Sequence, residues 1–300
     1  MVGRTEGEPE HVDVGDTGPA RGEGPPRVEP VAGEPAAVTA LGDGTRALVV
    51  ADYHAGLEAG LRRRGVSLPS RAEQRRTDLL ALLDGTSPDR LIVLGDLAHA
   101  IGDSRGTERE ELEALLAAVA ERVPVVVVKG NHDGEIESTI ADTGIEGVTV
   151  TPTGGTRLGR VGFVHGHTWP RPAVLDAPVV CAGHEHPTVR LEDEVGGSRA
   201  ERVWLRGRLA PGPFRAHREA SEGVDGEEGV DGEGGIDGEE RADPPIDGEL
   251  VVFPAFNDLT GGTWVNAPEQ GFLAPFLPAG LRGGEAYLLD GTRLGDYRRV

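Results

Sequence analysis

The chain has 300 residues and a formal net charge of −21, a length that holds one large domain or two ordinary ones with a real core. Hydrophobic residues make up 37%, no apolar run approaches the roughly 18 residues needed to span a bilayer, and no charged-then-apolar leader opens the chain. These features exclude a membrane protein and make the cytoplasm the expected location. The single cysteine, Cys181, excludes a disulfide framework and a thiolate zinc site; inside Val179-Val180-Cys181-Ala182 it reads as core packing.

The charge is concentrated in two stretches. Residues 1–45 hold nine acids against three arginines, and residues 219–249 hold thirteen against one, so the rest of the chain is close to neutral. Residues 1–27, rich in Gly, Pro and Glu, read as a disordered acidic tail. The body, residues 28–300, is then expected to be one domain interrupted by an acidic low-complexity insertion over 215–249. There the unit Val224-Asp225-Gly226-Glu227 recurs at 230, 236 and 246. Asp-Gly repeats can hold calcium, but neither the EF-hand nor a nine-residue spacing is present, and a solvated loop between two strands is the preferred reading.

In chain order, residues 47–51 form an apolar run of strand length. Ser70-Arg71-Ala72-Glu73 reads as a capping box that opens a helix through Leu79, Leu80 and Leu83, with Gly85 as its stop. A second apolar run covers residues 91–94. Thr107-Glu108-Arg109-Glu110 reads as a second capping box, ahead of Leu112, Leu115, Leu116 and Val119 on one helix face. Further strands are expected over 124–128, 161–164 and 178–182. The first three runs read as buried parallel strands, and their alternation with helices predicts right-handed crossovers and a layered α/β architecture.

Chemistry-bearing residues follow each strand: Asp52-Tyr53-His54, Gly95-Asp96, Gly130-Asn131-His132-Asp133, His165-Gly166-His167 and Gly183-His184-Glu185-His186. Ligands bind at the carboxyl ends of parallel strands, so these groups are delivered to one rim. Any one strand-end histidine is more often a hydrogen-bonded structural residue; the ordered set is not explained that way. Oxygen and imidazole donors without thiolate suit Mn, Fe, Zn or Ni. Asp52 and His54 can share a metal because alternate residues of an extended chain face one side. Asp96 can bridge to a second metal, and two ions about 3.5–4 Å apart clamp the attacking and leaving oxygens of a phosphoryl transfer.

In this order, the five motifs resemble the calcineurin-like metallophosphoesterases. The resemblance implies a four-layer αββα sandwich and a centre of two divalent metal ions, manganese first, with iron, zinc or nickel as alternatives. It implies Asp52, His54 and His186 on one metal, Asn131, His165 and His184 on the other, Asp96 between them, and His132 as the catalytic acid facing the substrate. Asp133, His99 and His167 are expected to support ligands or substrate. The runs Ala51-Asp52-Tyr53-His54-Ala55-Gly56-Leu57-Glu58, Gly95-Asp96-Leu97-Ala98-His99 and Pro254-Ala255-Phe256-Asn257-Asp258-Leu259-Thr260-Gly261-Gly262-Thr263 are similar to archaeal SbcD-related phosphoesterases, and more distantly to the ligase-associated PdeM proteins. Tyr53 and Ala98 depart from that pattern, which has Leu and Lys there. This implies a nucleic-acid phosphodiester substrate, a nuclease role in DNA repair and a helicase or ligase partner. A smaller phosphoester substrate and a non-catalytic scaffold are the competing functions. Excess acid with one lysine, Lys129, resembles the composition of salt-loving archaea.

Three further features are weighed. Arg62, Arg63, Arg64, Arg71, Arg75 and Arg76 crowd the segment after the first motif; they either hold a nucleic-acid backbone or form solvated surface and pair with acids, and the second reading is slightly preferred. Trp169, Trp204 and Trp264 read as core or loop anchors rather than base-stacking platforms. Asp103 reads as either a support for the ligands or plain loop.

Overall fold

The computed structural model describes residues 27–102, 104–193, 195–225, 246–267, 269 and 271–300. Most of the expected tail, Asp103 and the middle of the acidic repeat lie outside the described residues.

Six strands form the first sheet in chain order: β1 (Val28–Pro30), β2 (Ala36–Ala40), β3 (Arg46–Val50), β4 (Arg90–Val93), β5 (Val125–Val128) and β6 (Val148–Thr151). Strands β3 to β6 are parallel, with β3 in register against β4 from Ala47–Arg90 to Val50–Val93. Helices α1 (Leu57–Arg63), α2 (Ala72–Thr86), α3 (Thr107–Ala120) and α4 (Ile136–Thr143) occur in the connections between these parallel strands. The second sheet has eight strands: β7 (Thr156–Leu158), β8 (Val161–Val164), β9 (Val179–Ala182), β10 (Thr188–Glu192), β11 (Ser198–Leu209), β12 (Glu249–Val252), β13 (Leu281–Leu288) and β14 (Arg293–Asp296). Helices α5 (Pro172–Leu175) and α6 (Pro211–Asp225) lie in its connections. Strands β8, β9 and β12 are parallel neighbours and the others pair antiparallel.

The alternation of side chains across each strand makes the layers. On one face Leu48, Val50, Leu91, Val93, Val125 and Val127 pack with Leu79, Leu83, Leu112, Leu115, Leu116 and Ile136 of the helices. On the other, Ala47, Val49, Ile92, Leu94, Val126 and Val128 meet Val161, Phe163, Val179, Cys181, Val251 and Trp204 of the second sheet. That sheet's outer face, with Val164, Val180, Leu205 and Val252, is covered by Val174, Leu175 and Phe214. The result is a two-sheet α/β sandwich, as the order of elements predicts. No described helix is long and apolar enough to cross a membrane.

Several local readings are corrected. Arg71, not Ser70, occupies the α2 cap, and Ser70 Oγ accepts a bond from Ala72 N at 3.3 Å instead. Leu82 rather than Leu80 is fully buried, and α2 runs past Gly85 to close on Ser87 in the left-handed conformation. Thr107 is already helical behind Gly106 and makes no capping bond. Residues 215–225, expected at the start of an acidic loop, continue α6.

Arg75 is buried on the inner side of α2 and donates to Glu58 at 3.1–3.2 Å and to Glu111 at 2.6–3.1 Å. Glu58 also accepts from Arg71 N at 2.8 Å, and Glu111 from Gly56 N at 2.8 Å. The guanidinium therefore ties α1, α2 and α3 to the turn after Asp52-Tyr53-His54. Removing one partner of such a buried group strands the others' charge. Arg75→Ala is expected to cost about 3–5 kcal/mol in urea unfolding, with most of the loss recovered by adding Glu58→Gln and Glu111→Gln.

Candidate metal centre

The carboxyl ends of β3, β4, β5, β8 and β9 meet at one rim, and backbone hydrogen bonds join their loops. Asp52 N donates to Gly95 O at 3.2 Å, His54 N to Asp96 O at 2.8 Å, and Gly183 N to His165 O at 2.8 Å. Six described residues other than glycine have left-handed backbones. Five are Asp52 (φ 56°), His54 (49°), Asp96 (48°), His184 (71°) and His186 (44°); the sixth is Ser87. Such conformations are held only where surrounding structure enforces them, and they cluster at functional sites. Gly95 and Gly130 are required by close approach: a Cβ on Gly95 would strike the His165 ring, and one on Gly130 would strike Asp96.

Two groups of donors converge. In the first, His186 Nε2 stands 3.3 Å from Asp52 Oδ1 and 3.4 Å from His54 Nε2. In the second, His165 Nε2 stands 3.1 Å from Asn131 Oδ1, 3.2 Å from His184 Nδ1 and 3.4 Å from Asp96 Oδ1. The ligating atoms of Asp52, His54 and His186 lie within 4.8 Å of one another, as do those of Asp96, His165 and His184. Asp96 joins the groups, its other oxygen lying 3.6 Å from His54 Nε2. Asp52, Asp96 and His165 are buried, whereas Asn131 is exposed at the rim.

The donor set fits divalent ions. His165 Nδ1 bonds Leu94 O at 2.7 Å and His186 Nδ1 bonds Gly261 O at 2.8 Å, which places the proton there and leaves the Nε2 lone pair facing inward. Lone pairs then face lone pairs, an arrangement that calls for a cation at the centre. Two donors each about 2.1 Å from one ion lie roughly 3.0–3.4 Å apart, which is the spacing seen. The rings titrate in two ways. Burial pushes His54 down to about 3 and His184 to about 4, keeping those rings neutral and able to ligate. Burial also disfavours charge on His165 and His186, but the Asp96 and Asp52 carboxylates outweigh it and raise both, His165 to about 9. The buried carboxylates thus draw positive charge to this spot.

Other residues hold the frame. His132 lies at the rim with Nδ1 bonded to His99 O at 2.5 Å and Nε2 4.0 Å from Asp96. The His99 ring stacks on that of His132, centroids 5.5 Å apart, and its Nδ1 is 3.4 Å from His54 Nδ1. His54, His99 and His132 make a third convergent group that shares His54 with the first. Burial, then His132 and the charges of Arg64 and Arg63, hold His99 down to about 4. Asp133 is buried outside the donor groups and accepts from Ala98 N at 3.0 Å and Gly130 N at 2.9 Å, clipping the third loop to the second. His167 stands apart, its ring 5.2 Å from that of His165. Trp204 is core between the sheets, and Trp169 stacks on His217 at 4.3 Å in the wall of a cavity of about 390 Å³.

Asn257 was not singled out from the sequence. Buried just past β12, it donates Nδ2 to Tyr53 O at 3.1 Å and its backbone N to Asp52 O at 3.3 Å. The signal was an amide directly after the apolar residues 250–253 and 255–256. Glu108, read as part of a cap, instead turns inward and accepts from His99 N and Ala100 N at 3.2 and 3.0 Å.

With this geometry established, comparison with known proteins is informative. Residues 45–188, the segment that carries every donor named above, match the calcineurin-like phosphoesterase family. Among solved structures, the nuclease MPE of Pseudomonas putida matches 89% of this chain and 100% of its own, at 20% identity and a TM-score of 0.51. The E. coli phosphoesterase Yfce matches 49% and 73%, at 22% identity and a TM-score of 0.30. No curated protein matches the chain in sequence.

Asp133 makes its two bonds as an acceptor only. Asp133→Asn must point an amide N–H at a backbone N–H, so a loss of about 1–3 kcal/mol in thermal or urea unfolding is expected.

Proposed function

We propose that the protein is a metal-dependent phosphodiesterase that cleaves nucleic-acid strands. The observation that carries this reading is Asp96, whose two oxygens face two separate donor groups at 3.4 and 3.6 Å. Asp52, His54 and His186 would hold one divalent ion and Asn131, His165 and His184 the other, with Asp96 shared. When bound, such a pair supplies the charge that neutralises phosphate oxygens and activates water. Manganese is our first choice; oxygen and imidazole donors without thiolate suit iron, zinc or nickel as well.

The chain's own contribution is orientation and proton transfer. The bond from His132 Nδ1 to His99 O fixes the ring with Nε2 4.0 Å from Asp96, beside the donor groups, where it can donate to the leaving oxygen of a bound phosphoester. Asp133 and Asn257 keep the loops from relaxing out of their left-handed conformations. The P. putida protein with this fold is a nuclease, and the SbcD-like motifs agree with a strand substrate. In this reading the enzyme serves DNA repair beside a helicase or ligase.

Hydrolysis of bis-p-nitrophenyl phosphate and of p-nitrophenyl phosphate, with chelator-stripped protein returned to molar KCl, tests the reading. Diesterase activity should vanish on stripping and return with manganese. His132→Ala should lower kcat by about 10²–10⁴-fold while still binding two equivalents of manganese, and Asp96→Asn should lose both activity and the second equivalent. Activity on the monoester alone would replace the strand substrate with a small phosphoester. Two bound ions without any hydrolysis would leave a scaffold.

A further inference from the structure

The arginines that crowd the segment after the first motif separate into two kinds. Arg75 is buried between Glu58 and Glu111, and Arg71 pairs with Asp258 at 2.7 Å. Arg62, Arg63 and Arg64 are exposed, and among the described residues no carboxylate lies within ion-pair distance of any of them. In a chain of net charge −21, three adjacent uncompensated cations need a reason.

Their position supplies one. Gly60 of α1 lies against the His99 ring so closely that a Cβ there would come within 2.8 Å of Nε2 and Cδ2. Residues three and four positions on share a helix face, so Arg63 and Arg64, which closes α1 with φ −90°, follow Gly60 along the face turned to His99. His99 stacks on His132, and His132 faces Asp96. A line therefore runs from the donor groups over His132 and His99 to two exposed guanidinium groups. Guanidinium matches phosphate oxygens in geometry and keeps its charge at any working pH.

We propose that Arg63 and Arg64 form a phosphate-binding step for the nucleic-acid strand flanking the scissile bond. The inference rests on the phosphodiesterase reading above and adds the side on which the strand leaves the centre. A small diester ends before this step, whereas a strand continues onto it. The contact is to backbone phosphate, so it positions without reading sequence.

The test is fluorescence anisotropy with the manganese-loaded protein and a fluorescein-labelled twelve-nucleotide thymidine strand with phosphorothioate linkages. Titrations run over KCl concentrations at which circular dichroism stays native. The double variant Arg63→Ser/Arg64→Ser should weaken binding about tenfold or more and reduce the slope of log K against log[KCl] by about 1.4, or 0.7 for each lost phosphate contact. Arg199→Ser, at the tip of the β10–β11 hairpin and paired with Glu201, should change neither. Double-variant binding within twofold of the parent at the same slope overturns the proposal, as does a parent protein that does not bind the strand. Equal dependence on these arginines for a phosphoserine peptide, with no preference for the strand, also overturns it. Hydrolysis of bis-p-nitrophenyl phosphate by the parent separates the two failures: without it the phosphodiesterase reading falls, and with it only this step does.

Discussion

The structure turns on one electrostatic constraint: lone pairs of buried oxygen and imidazole groups point at each other. His184 Nδ1, Asn131 Oδ1 and Asp96 Oδ1 crowd within 3.1–3.4 Å of His165 Nε2, and no proton arrangement satisfies them all as neutral hydrogen bonds. Asp52 accepts from His184 N and Asp96 from His132 N, but a buried carboxylate is costly unless its charge is paired as well, so both call for positive charge beside them. Burial alone would raise Asp52, yet His186 and His165 hold it below the usual carboxylate range. A fold that keeps such a group must brace it elsewhere. The bracing is visible in the left-handed loops and in the backbone carbonyls of Leu94 and Gly261 that hold the outer nitrogens of His165 and His186.

That bracing explains why the centre sits at the seam of two sheets. β3, β4 and β5 end with Asp52, Asp96 and Asn131 from one side; β8 and β9 end with His165 and His184 from the other. The bond from His165 to Leu94 crosses from the second sheet to the first, as does Phe256 N to Ala51 O at 2.7 Å. Sliding one sheet over the other would break these bonds together with the intersheet packing of Ile92, Phe163 and Cys181. Packed interiors resist such small displacements, so the two halves of the centre stay in register.

Much of this was legible in the sequence, for identifiable reasons. Strands buried on both faces show as continuous apolar runs, so residues 47–51, 91–94 and 161–164 stood out and the polar residues at their ends stood out with them. Asp, Asn and His tolerate the left-handed region better than other side chains, which is also why the strained positions carry the donors. Capping boxes were misread because Ser/Thr-x-x-Glu is a local pattern, while Glu108 is held by His99 and Ala100 of another loop. The Asn257 contacts join residues about 200 positions apart, and no local period announces such a pairing. Arg75 looked like its neighbours in sequence; only the packing of α1, α2 and α3 separates its buried triad from the exposed Arg63 and Arg64.

For an acidic protein to act on a polyanion, as proposed above, looks contradictory until charge is weighed by distance. The acids concentrate in residues 1–45 and 219–249, and at physiological ionic strength a charge more than about 8 Å away across solvent is largely screened; in molar salt the range is shorter still. Net charge then governs solubility, while binding depends on the few cations in contact with phosphate. Non-specific phosphate contacts weaken with salt, so a strand must be held where ions inside a buried donor set, which salt screens less, act together with a short run of arginines. Arg63 and Arg64 follow Gly60 along the α1 face that packs against His99.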